Sequence, residues 1–380
     1  MPKIGMMTFY ESDNYGTCLQ AWSLQHTIQR LGYECEVLNF SRSIVSNKKS
    51  SKRSVLKNIG IMTTAELILL SSRRKSRKQA FRVFRDTITI SPKAYGSLED
   101  LKGTVNQYNA FVVGSDMVWS WESQIHLDKY FLKFAPAGRR VAYAPSFGNT
   151  VLTGEMEAYY RDALLGMDYL SCRERSGKEL IEQLTGKNCE LVLDPTMLLT
   201  ADEWQETFQL GKFAPKKKQG RTILCSLFDR SSRKACIRQI KKAMKQGDQL
   251  RHIPSTFEEY LTEALAGAQD KAYGPVEFLK AYYNADMIIS DGFHGLVFSL
   301  IFQKPFLLIH RSSGEHWAKH EERMASLLEE LGLSSRYIKA DVPISPEHFT
   351  LDYTQINQKI AHLRESSLKY LEDALAGAVK

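Results

Sequence analysis

The sequence predicts an α/β protein built from two Rossmann-like domains, the first of which carries a basic helical insertion. Three observations support this fold class. The chain has 380 residues, enough for two domains, and its 43% hydrophobic content is ordinary for a globular protein. Short apolar runs, typical of strands buried on both faces, alternate with segments of helical spacing. A basic, breaker-rich linker at about residues 200–219 divides this alternation into two sets.

The first domain is predicted to span residues 1–205. It opens with a strand at 4–9, a polar loop at 10–16, a helix at 19–31 and a strand at 36–40. This is the start of a mononucleotide-binding fold. The chain nevertheless lacks both G-x-G-x-x-G and G-x-x-x-x-G-K, so neither a dinucleotide nor a P-loop site is supported. Later in the domain we expect strands at 111–113, 141–143, 169–174 and 191–193, and helices at 155–165 and 176–184.

A strongly basic segment interrupts the first domain. Between Arg42 and Arg85 it has thirteen lysines and arginines and a single acid, Glu66. We predict two helical pieces, 55–70 and 75–85, within an insertion at about residues 42–100. A solvated helical face, peripheral contact with an anionic membrane surface and nucleic-acid binding are the alternatives for such a charge run. No nucleic-acid fingerprint accompanies it, so nucleic acid is not predicted as a partner.

The second domain is predicted to span residues 219–350. Its expected strands are 222–228, 250–253, 287–289 and 306–309, and its expected helices are 230–245, 258–265 and 275–283. The remaining segment, 351–380, contains a helix at 356–375 with one broad apolar face. We expect this helix to cross back onto the first domain.

The stretch from Met287 to Gln303 is predicted to be a strand, a turn and a helix. The apolar run 287–289 is followed by Ser290-Asp291-Gly292, which has turn and cap chemistry. His294 would then lie in the first turn of a helix at the carboxyl end of a parallel strand. Unpaired amides and the helix dipole make that position an anion site, and the alternative is a histidine that only caps the helix.

Other classes of site have little support. Six cysteines are scattered without a C-x-x-C pair, which favours free thiols in a reducing cytosol and argues against zinc or disulfides. His316 and His320 are four residues apart, but no third ligand matches them, so no metal is predicted. The apolar runs are too short to span a bilayer, and the first residues lack a signal-peptide pattern. We therefore expect a cytoplasmic location, with the inner face of the membrane as a possible site of contact.

Several motifs follow one another in a characteristic order. They are Asn14-Tyr15-Gly16, Val113-Gly114-Ser115-Asp116, Ser171-Cys172-Arg173-Glu174, Leu193-Asp194-Pro195-Thr196, Ser290-Asp291-Gly292-Phe293-His294-Gly295 and Lys304-Pro305-Phe306. With this order and spacing, nearly the whole chain resembles the polysaccharide pyruvyl transferase family. The resemblance implies two Rossmann-like domains facing a cleft, as in GT-B glycosyltransferases. The sequence departs from that pattern at Met117, Ser120 and Gly292, where the family usually has glutamine, usually asparagine, and often serine or arginine.

The implied activity is transfer of a pyruvyl group from phosphoenolpyruvate onto a sugar or lipid-linked oligosaccharide, with phosphoenolpyruvate as co-substrate and no cofactor. A guanidinium suits its carboxylate or phosphate, which points to Arg173, although a salt bridge with Glu174 or another carboxylate is the structural alternative. The resemblance also places Arg173 and His294 at the donor. Further donor-binding residues are predicted from the same motif: Ser290, Gly292, Phe293 and Gly295.

His294 is also the predicted general acid, and Asp116 the predicted base or acceptor-binding carboxylate. Asp291 fits a helix N-cap better than a catalyst. Four other residues are predicted on the acceptor side: Asp13, Asn14, Tyr15 and Ser115. Two functional alternatives remain at this point, namely a GT-B-type glycosyltransferase that uses a nucleotide sugar and a non-enzymatic binder that acts through its basic surface.

Overall fold

The computed structural model describes residues 1–40, 64–121, 127–213, 220–254, 273–311 and 314–380. The elements of the first half are β1 (Lys3–Met7), α1 (Tyr15–Arg30), β2 (Glu34–Phe40), α2 (Thr64–Arg85), β3 (Ile90–Tyr95), α3 (Leu98–Lys102), β4 (Ala110–Val113), β5 (Arg140–Ala142), α4 (Gly154–Leu165), β6 (Ser171–Cys172), α5 (Arg175–Thr185), β7 (Glu190–Leu191) and α6 (Ala201–Phe208). Those of the second half are β8 (Thr222–Ser226), α7 (Arg230–Ala243), β9 (Gln249–His252), α8 (Pro275–Asn284), β10 (Met287–Ser290), α9 (Phe293–Ile301), β11 (Phe306–Ile309), α10 (Gly314–Leu331), β12 (Tyr337–Ile338) and α11 (Thr354–Ala378).

The first sheet has five parallel strands in the order β3-β2-β1-β4-β5. β1 is central, and its Ile4 pairs with Cys35 of β2 on one side and with Ala110 of β4 on the other. The chain therefore leaves β1 toward one edge and returns at β4 toward the other. Such a reversal opens a crevice at the carboxyl ends of the two strands, where α/β proteins bind ligands.

The second sheet is also parallel, in the order β12-β11-β10-β8-β9. Its reversal falls between β8 and β10, where Ile288 pairs with Leu224. β10 and β11 are buried along their whole length, which explains the apolar runs 287–289 and 306–309. β6 and β7 form a small separate pair beside the first sheet. The crevice of the second sheet lies at the carboxyl ends of β8 and β10, where α9 begins.

The two halves share one apolar core. It includes Met6 and Trp22 from the first half and Ile288 and Phe298 from the second, and the Trp204 ring of α6 meets Phe298 edge-on at 5.3 Å. This continuous packing fixes the crevice of one half against that of the other.

The last helix, α11, connects both halves. Just before its start, the Tyr353 hydroxyl donates to the carbonyl of Lys304 in the second half at 2.7 Å. Farther along, the Leu193 amide of the first half donates to Ser367 Oγ at 3.0 Å, and the Tyr370 hydroxyl donates to the Ala142 carbonyl at 2.9 Å. α11 therefore runs from the second half back onto the first.

The predicted fold class is confirmed, with two local errors. The proposed insertion at about 42–100 contains β3, which pairs with β2 as an edge strand of the first sheet. The proposed linker contains α6, which packs into the shared core. α2 is one continuous helix over Thr64–Arg85, whereas the rest of the predicted piece 55–70 and the predicted helix 258–265 lie outside the described residues. No helix in the described ranges is long and apolar enough to cross a membrane.

Candidate anion-binding site

The N-termini of α1 and α9 face each other between the two sheets. Asn14 caps α1 by accepting a hydrogen bond from the Thr17 amide at 3.3 Å. Gly16, in the first turn of α1, lies directly against the imidazole of His294 in the first turn of α9. A Cβ added at Gly16 would lie 2.0 Å from His294 Nδ1, so only glycine allows this approach. Two positive helix ends thus converge on one place.

Arg173 and His294, predicted from the sequence to act together, share one carboxylate. Arg173 Nη1 donates to Asp194 Oδ2 at 2.7 Å, and His294 Nε2 lies 3.7 Å from the same oxygen. The other oxygen of Asp194 accepts hydrogen bonds from the Thr196 amide and hydroxyl at 3.1 and 2.7 Å. Asp194 therefore links the guanidinium of the first half to the imidazole of the second.

A second arginine, not predicted from the sequence, joins the site. Two guanidinium groups lie near the Phe293 ring. The central carbon of Arg173 is 4.4 Å from the ring centroid, and the central carbon of Arg323, on α10, is 5.4 Å from it. The ring also meets the His294 imidazole edge-on at 5.4 Å. Phe293 thus holds three cationic or ionisable groups around one aromatic ring, at a favourable distance for cation–π contact.

Several buried nitrogen atoms of the site have unused hydrogen-bonding capacity. Within the described ranges no partner is placed for Arg173 Nε and Nη2, for Arg323 Nε or for His294 Nε2. Arg173 Nε is 3.9 Å from Glu174 Oε2, which also lacks a hydrogen bond. Buried polar atoms are normally hydrogen-bonded, so this group of nitrogens has the capacity to bind an acceptor such as water or an anion.

Burial and neighbouring charges set the protonation states. Burial lowers the pKa of the His294 imidazole, and the ionised Asp194 only partly offsets this, so His294 is neutral at pH 7. Burial favours a higher pKa for Asp194, but His294, Arg173 and hydrogen bonds outweigh it and the pKa ends below its usual value. Burial, reinforced by Arg173, lowers the pKa of Arg323 to about 10, which leaves it charged at pH 7.

Asp116 lies at the edge of this group. Its Oδ2 accepts from the Thr17 hydroxyl at 2.8 Å and its Oδ1 from the Met117 amide at 2.9 Å. The residue is half-buried and has a φ of 65°, an uncommon conformation for a non-glycine residue. Its charge acts on His294, Arg173 and Arg323. Asp116 is therefore a half-buried carboxylate, held by two hydrogen bonds, beside the arginine and histidine side chains.

The start of α9 has the strand–turn–helix geometry predicted from the sequence, with one correction. Ser290 Oγ accepts the Gly292 amide at 3.2 Å, and the close approach of Gly295 to this hydroxyl excludes a Cβ there. The first-turn amides that follow have no intrahelical acceptor. The prediction that Asp291 is the N-cap is wrong, because Gly292 holds that position and Asp291 instead accepts from the Phe228 and Asp229 amides at 2.7 to 3.0 Å.

The residues predicted on the acceptor side are placed unequally. Tyr15 is buried, with its ring stacked on Phe278 at 4.8 Å and its hydroxyl accepting from Arg77 at 2.7 Å. Ser115 is buried as well, and donates to the Ala144 carbonyl at 2.8 Å. Asp13 is exposed and forms an ion pair of 2.9 Å with Arg85, while Asn14 caps α1. These contacts give Tyr15 and Ser115 packing roles and leave Asp13 accessible.

Access to the site is one-sided. The Arg173 side chain is 1% exposed and that of Asp194 is fully buried, whereas His294 retains 16% exposure. His294 is therefore the most accessible of these three side chains, and the Arg173 guanidinium is covered by the Phe293 ring, whose centroid lies 4.4 Å from its central carbon.

The described part of the chain has no group of three or more His, Cys, Asp or Glu side chains placed to hold a metal ion. The side chains of His316 and His320 lie outside the described set. All six cysteines are buried and free, and burial raises the pKa of the Cys18, Cys35, Cys172, Cys189 and Cys236 thiols. Buried, protonated thiols are poor nucleophiles, so the chemistry rests on the imidazole, guanidinium and carboxylate groups.

These features define a two-domain α/β protein with a buried group of arginine, histidine and carboxylate side chains between its halves. The family model for polysaccharide pyruvyl transferases matches residues 14–313. The match covers most of the chain and contains every residue of the site except Arg323 and Asp13. The chain therefore belongs to the polysaccharide pyruvyl transferase family.

Solved structures give distant likenesses. UDP-GlcNAc 2-epimerase from Methanocaldococcus jannaschii is 11% identical, with a TM-score of 0.48 over 93% of this chain and 91% of that one. The same enzyme from Neisseria meningitidis is 11% identical, with a TM-score of 0.43 over 97% and 100%. The glycosyltransferase SnogD from Streptomyces nogalater is 10% identical, with a TM-score of 0.41 over 98% of both chains. No curated protein sequence matches the chain.

Proposed function

We propose that the protein transfers a pyruvyl group from phosphoenolpyruvate to a sugar of a cell-surface polysaccharide or its precursor and forms a pyruvate ketal. Membership of the family supports the reaction class. The observation that carries the choice of donor is the set of unpartnered nitrogens on Arg173, Arg323 and His294 around one aromatic ring. A small molecule with a carboxylate and a phosphate supplies the acceptors that these nitrogens lack.

The two anionic groups of the donor fit two parts of the site. Arg173 uses Nη1 for Asp194, and its Nε faces Glu174 Oε2 at 3.9 Å, so Nη2 is the guanidinium nitrogen that we assign to the carboxylate of the donor. The phosphate fits the first-turn amides of α9, at Phe293 and Gly295, with His294 and Arg323 beside them. Ser290 and Gly292 shape this turn without contributing a free donor.

The chemistry balances with two acceptor hydroxyls. The first hydroxyl adds to C2 of phosphoenolpyruvate while C3 takes up a proton and becomes a methyl group. The second hydroxyl then displaces phosphate from the same carbon, and its proton leaves with the phosphate. We assign proton delivery at C3 to His294 Nε2 and removal of the first hydroxyl's proton to Asp116. No metal or further cofactor is needed in this scheme.

His294 must gain its proton when the donor binds. It is neutral in the free protein because burial lowers its pKa. A phosphate dianion next to the imidazole favours the charged form and raises that pKa. Donor binding thus protonates His294 and prepares it to act as the general acid. In the free protein the neutral imidazole adds no positive charge beside Arg173 and Arg323.

The acceptor is proposed to approach from the first half, past Asp116, Asn14 and Asp13. A lipid-linked oligosaccharide acceptor would also bring the protein to an anionic membrane surface. Exposed cations of α2 fit such a contact: Arg74, Lys75, Lys78 and Arg82. Arg77 and Arg85 instead bind Tyr15 and Asp13, so part of the basic charge of α2 has a structural use.

The test is incubation of the protein with ¹³C-labelled phosphoenolpyruvate and a panel of sugar glycosides. We expect release of inorganic phosphate together with a new ketal carbon signal, and loss of both in His294→Ala. Turnover of nucleotide sugars with none of phosphoenolpyruvate would instead support a GT-B-type glycosyltransferase. Loss of function on charge reversal at Arg74, Lys78 and Arg82, with His294→Ala unaffected, would support a basic surface binder.

A further inference from the structure

An aromatic cup lies at the carboxyl ends of β1 and β2, apart from the anion site. It has a volume of about 210 Å³ and is lined by Phe9, Tyr10, Glu11, Ser12, Phe40 and Tyr130, with Thr8 at its base. Since a water molecule takes about 30 Å³, the cup has room for roughly seven of them, or for one small ring.

The lining separates into an apolar and a polar part. Phe9 and Tyr130 meet edge-on at 5.2 Å, and the Lys129 ammonium lies 3.9 Å from the Phe40 ring centroid and 4.9 Å from that of Tyr130. These contacts hold the rings in fixed orientations. The exposed side chains of Glu11 and Ser12 form the polar part.

The polar part can both donate and accept hydrogen bonds. The Tyr10 hydroxyl lies 2.9 Å from Asn39 Oδ1 and 3.3 Å from Glu11 Oε1. Burial and the Glu11 charge raise the pKa of Tyr10, so its hydroxyl stays protonated. Glu11 retains its second carboxylate oxygen for a ligand hydroxyl.

This combination suits a sugar ring. A pyranose has one face of C–H groups, whose weakly positive hydrogens are attracted to the negative face of an aromatic ring. Its edge carries hydroxyls, which a carboxylate and hydroxyl groups can bind in pairs. Among the described residues that line the cup the charged one is Glu11, whereas the Lys129 ammonium is buried against the Phe40 and Tyr130 rings, so the cup does not favour a second anion.

The cup is close to the proposed reaction centre. Ser12 at its rim is four residues from Gly16, which touches His294, so the two Cα atoms are at most about 14 Å apart. A hydrogen-bonded path also joins them: Gln20 Nε2 donates to Thr8 Oγ1 at 3.0 Å, and Gln20 Oε1 accepts from the Ser115 amide at 3.0 Å. This path is internal, so a sugar chain in the cup would extend toward the donor over the exposed residues Ser12, Asp13 and Asn14.

We infer that the cup is a subsite that binds one sugar ring of the acceptor, an inference that rests on the proposed transfer to a sugar. Its position gives the acceptor a second point of attachment away from the reacting hydroxyls. Binding energy from such a remote ring serves to orient the reacting part of the substrate.

The test uses saturation-transfer NMR with methyl glycosides of glucose, galactose, mannose and N-acetylglucosamine. We expect at least one to bind, with affinity roughly three- to tenfold weaker in Phe9→Ala and about tenfold weaker in Glu11→Ala. Glu372→Ala, at an exposed glutamate on α11, serves as the matched control and should bind like the unsubstituted protein. Glu11 is exposed, so its variant keeps the test valid even if Phe9→Ala unfolds.

The inference is overturned if no glycoside binds, or if Glu11→Ala and a folded Phe9→Ala both bind sugar normally. Calorimetric titration with phosphoenolpyruvate separates this failure from failure of the proposed function. Normal donor binding without sugar binding rejects the cup alone. Sugar binding that depends on Glu11, without any donor binding, rejects the donor and supports the cup.

Discussion

Replacement of Arg323 by glutamine should stabilise the free protein and weaken its affinity for phosphoenolpyruvate. Burial lowers the pKa of Arg323 from 12.5 to about 10, which means that the folded state disfavours its charge. A difference of this size corresponds to about 3 kcal/mol at neutral pH, before relaxation and remaining solvent contact reduce it. We therefore expect Arg323→Gln to gain about 1–2 kcal/mol of unfolding free energy.

The same substitution removes a charged donor from the anion site. Hydrogen bonds to charged groups contribute roughly 1.5–3 kcal/mol, so the dissociation constant for phosphoenolpyruvate should rise by about 10- to 150-fold. Urea unfolding measures the first effect, and isothermal titration calorimetry measures the second. A structural arginine would give destabilisation without loss of affinity, whereas a ligand-binding one gives the opposite pair of changes.

Arg175→Gln is the matched control. Arg175 pairs with Glu330 of α10 at 2.9 Å, but its side chain is 53% exposed, so the pair contributes little. The variant removes the same charge near the junction of the halves and should change the affinity less than twofold. If Arg323→Gln binds the donor as the unsubstituted protein does, or if it is less stable, our reasoning about Arg323 is refuted.

Four further predictions concern the imidazole and its neighbours. Gly16→Ala should destabilise the protein by roughly 1–3 kcal/mol because the added Cβ overlaps His294. In the double variant, His294→Ala should restore most of that loss. Additive effects of the two substitutions in urea unfolding would show that the two side chains do not collide. His294→Ala alone should lower kcat about 10²- to 10⁴-fold with an unchanged circular dichroism spectrum, and near-normal turnover would remove His294 from the mechanism. Donor binding above pH 6.5 should be accompanied by uptake of a proton, since the pKa of His294 is lowered in the free protein. Calorimetry in buffers of different ionisation enthalpy should detect this uptake, and His294→Ala should abolish it. Equal uptake in both proteins would assign the proton to another group. Arg173→Lys should mainly raise the KM for phosphoenolpyruvate because the planar fork is lost, and an unchanged KM would make Arg173 structural.

The sequence predicted the central strands well because β10 and β11 are buried on both faces, which favours the apolar runs 287–289 and 306–309. The sequence did not predict β3, whose six residues include three exposed ones, and Pro92 is one of these three. A proline is tolerated there because β3 is an edge strand, a property that only the pairing reveals. The missed helix α6 did carry a local signal, the capping box formed by Thr200 and Glu203.

The site residues that lie just beyond the end of a strand could be predicted from the sequence, and the one inside a long helix could not. Arg173 directly follows β6 and His294 lies in the first helical turn after β10, so each lies beyond the carboxyl end of a strand, and the packing of the two halves brings them together. Arg323 lies inside α10 between Glu321 and Met324, a position that looks like the border of a solvated helix face. Nothing local distinguishes it from other arginines, because its importance arises from the packing of α10 against Phe293.

Asp194 belongs to a group of charges that offset one another. Its carboxylate fixes Arg173 through Nη1, Glu174 lies 3.9 Å from Arg173 Nε, and the charge of Asp116 acts on Arg173 as well. The pKa of His294 is low enough that the imidazole adds no positive charge at pH 7. A phosphate next to that imidazole would favour its charged form and raise the pKa. The donor that we propose would therefore convert a neutral histidine into the acid that the reaction needs.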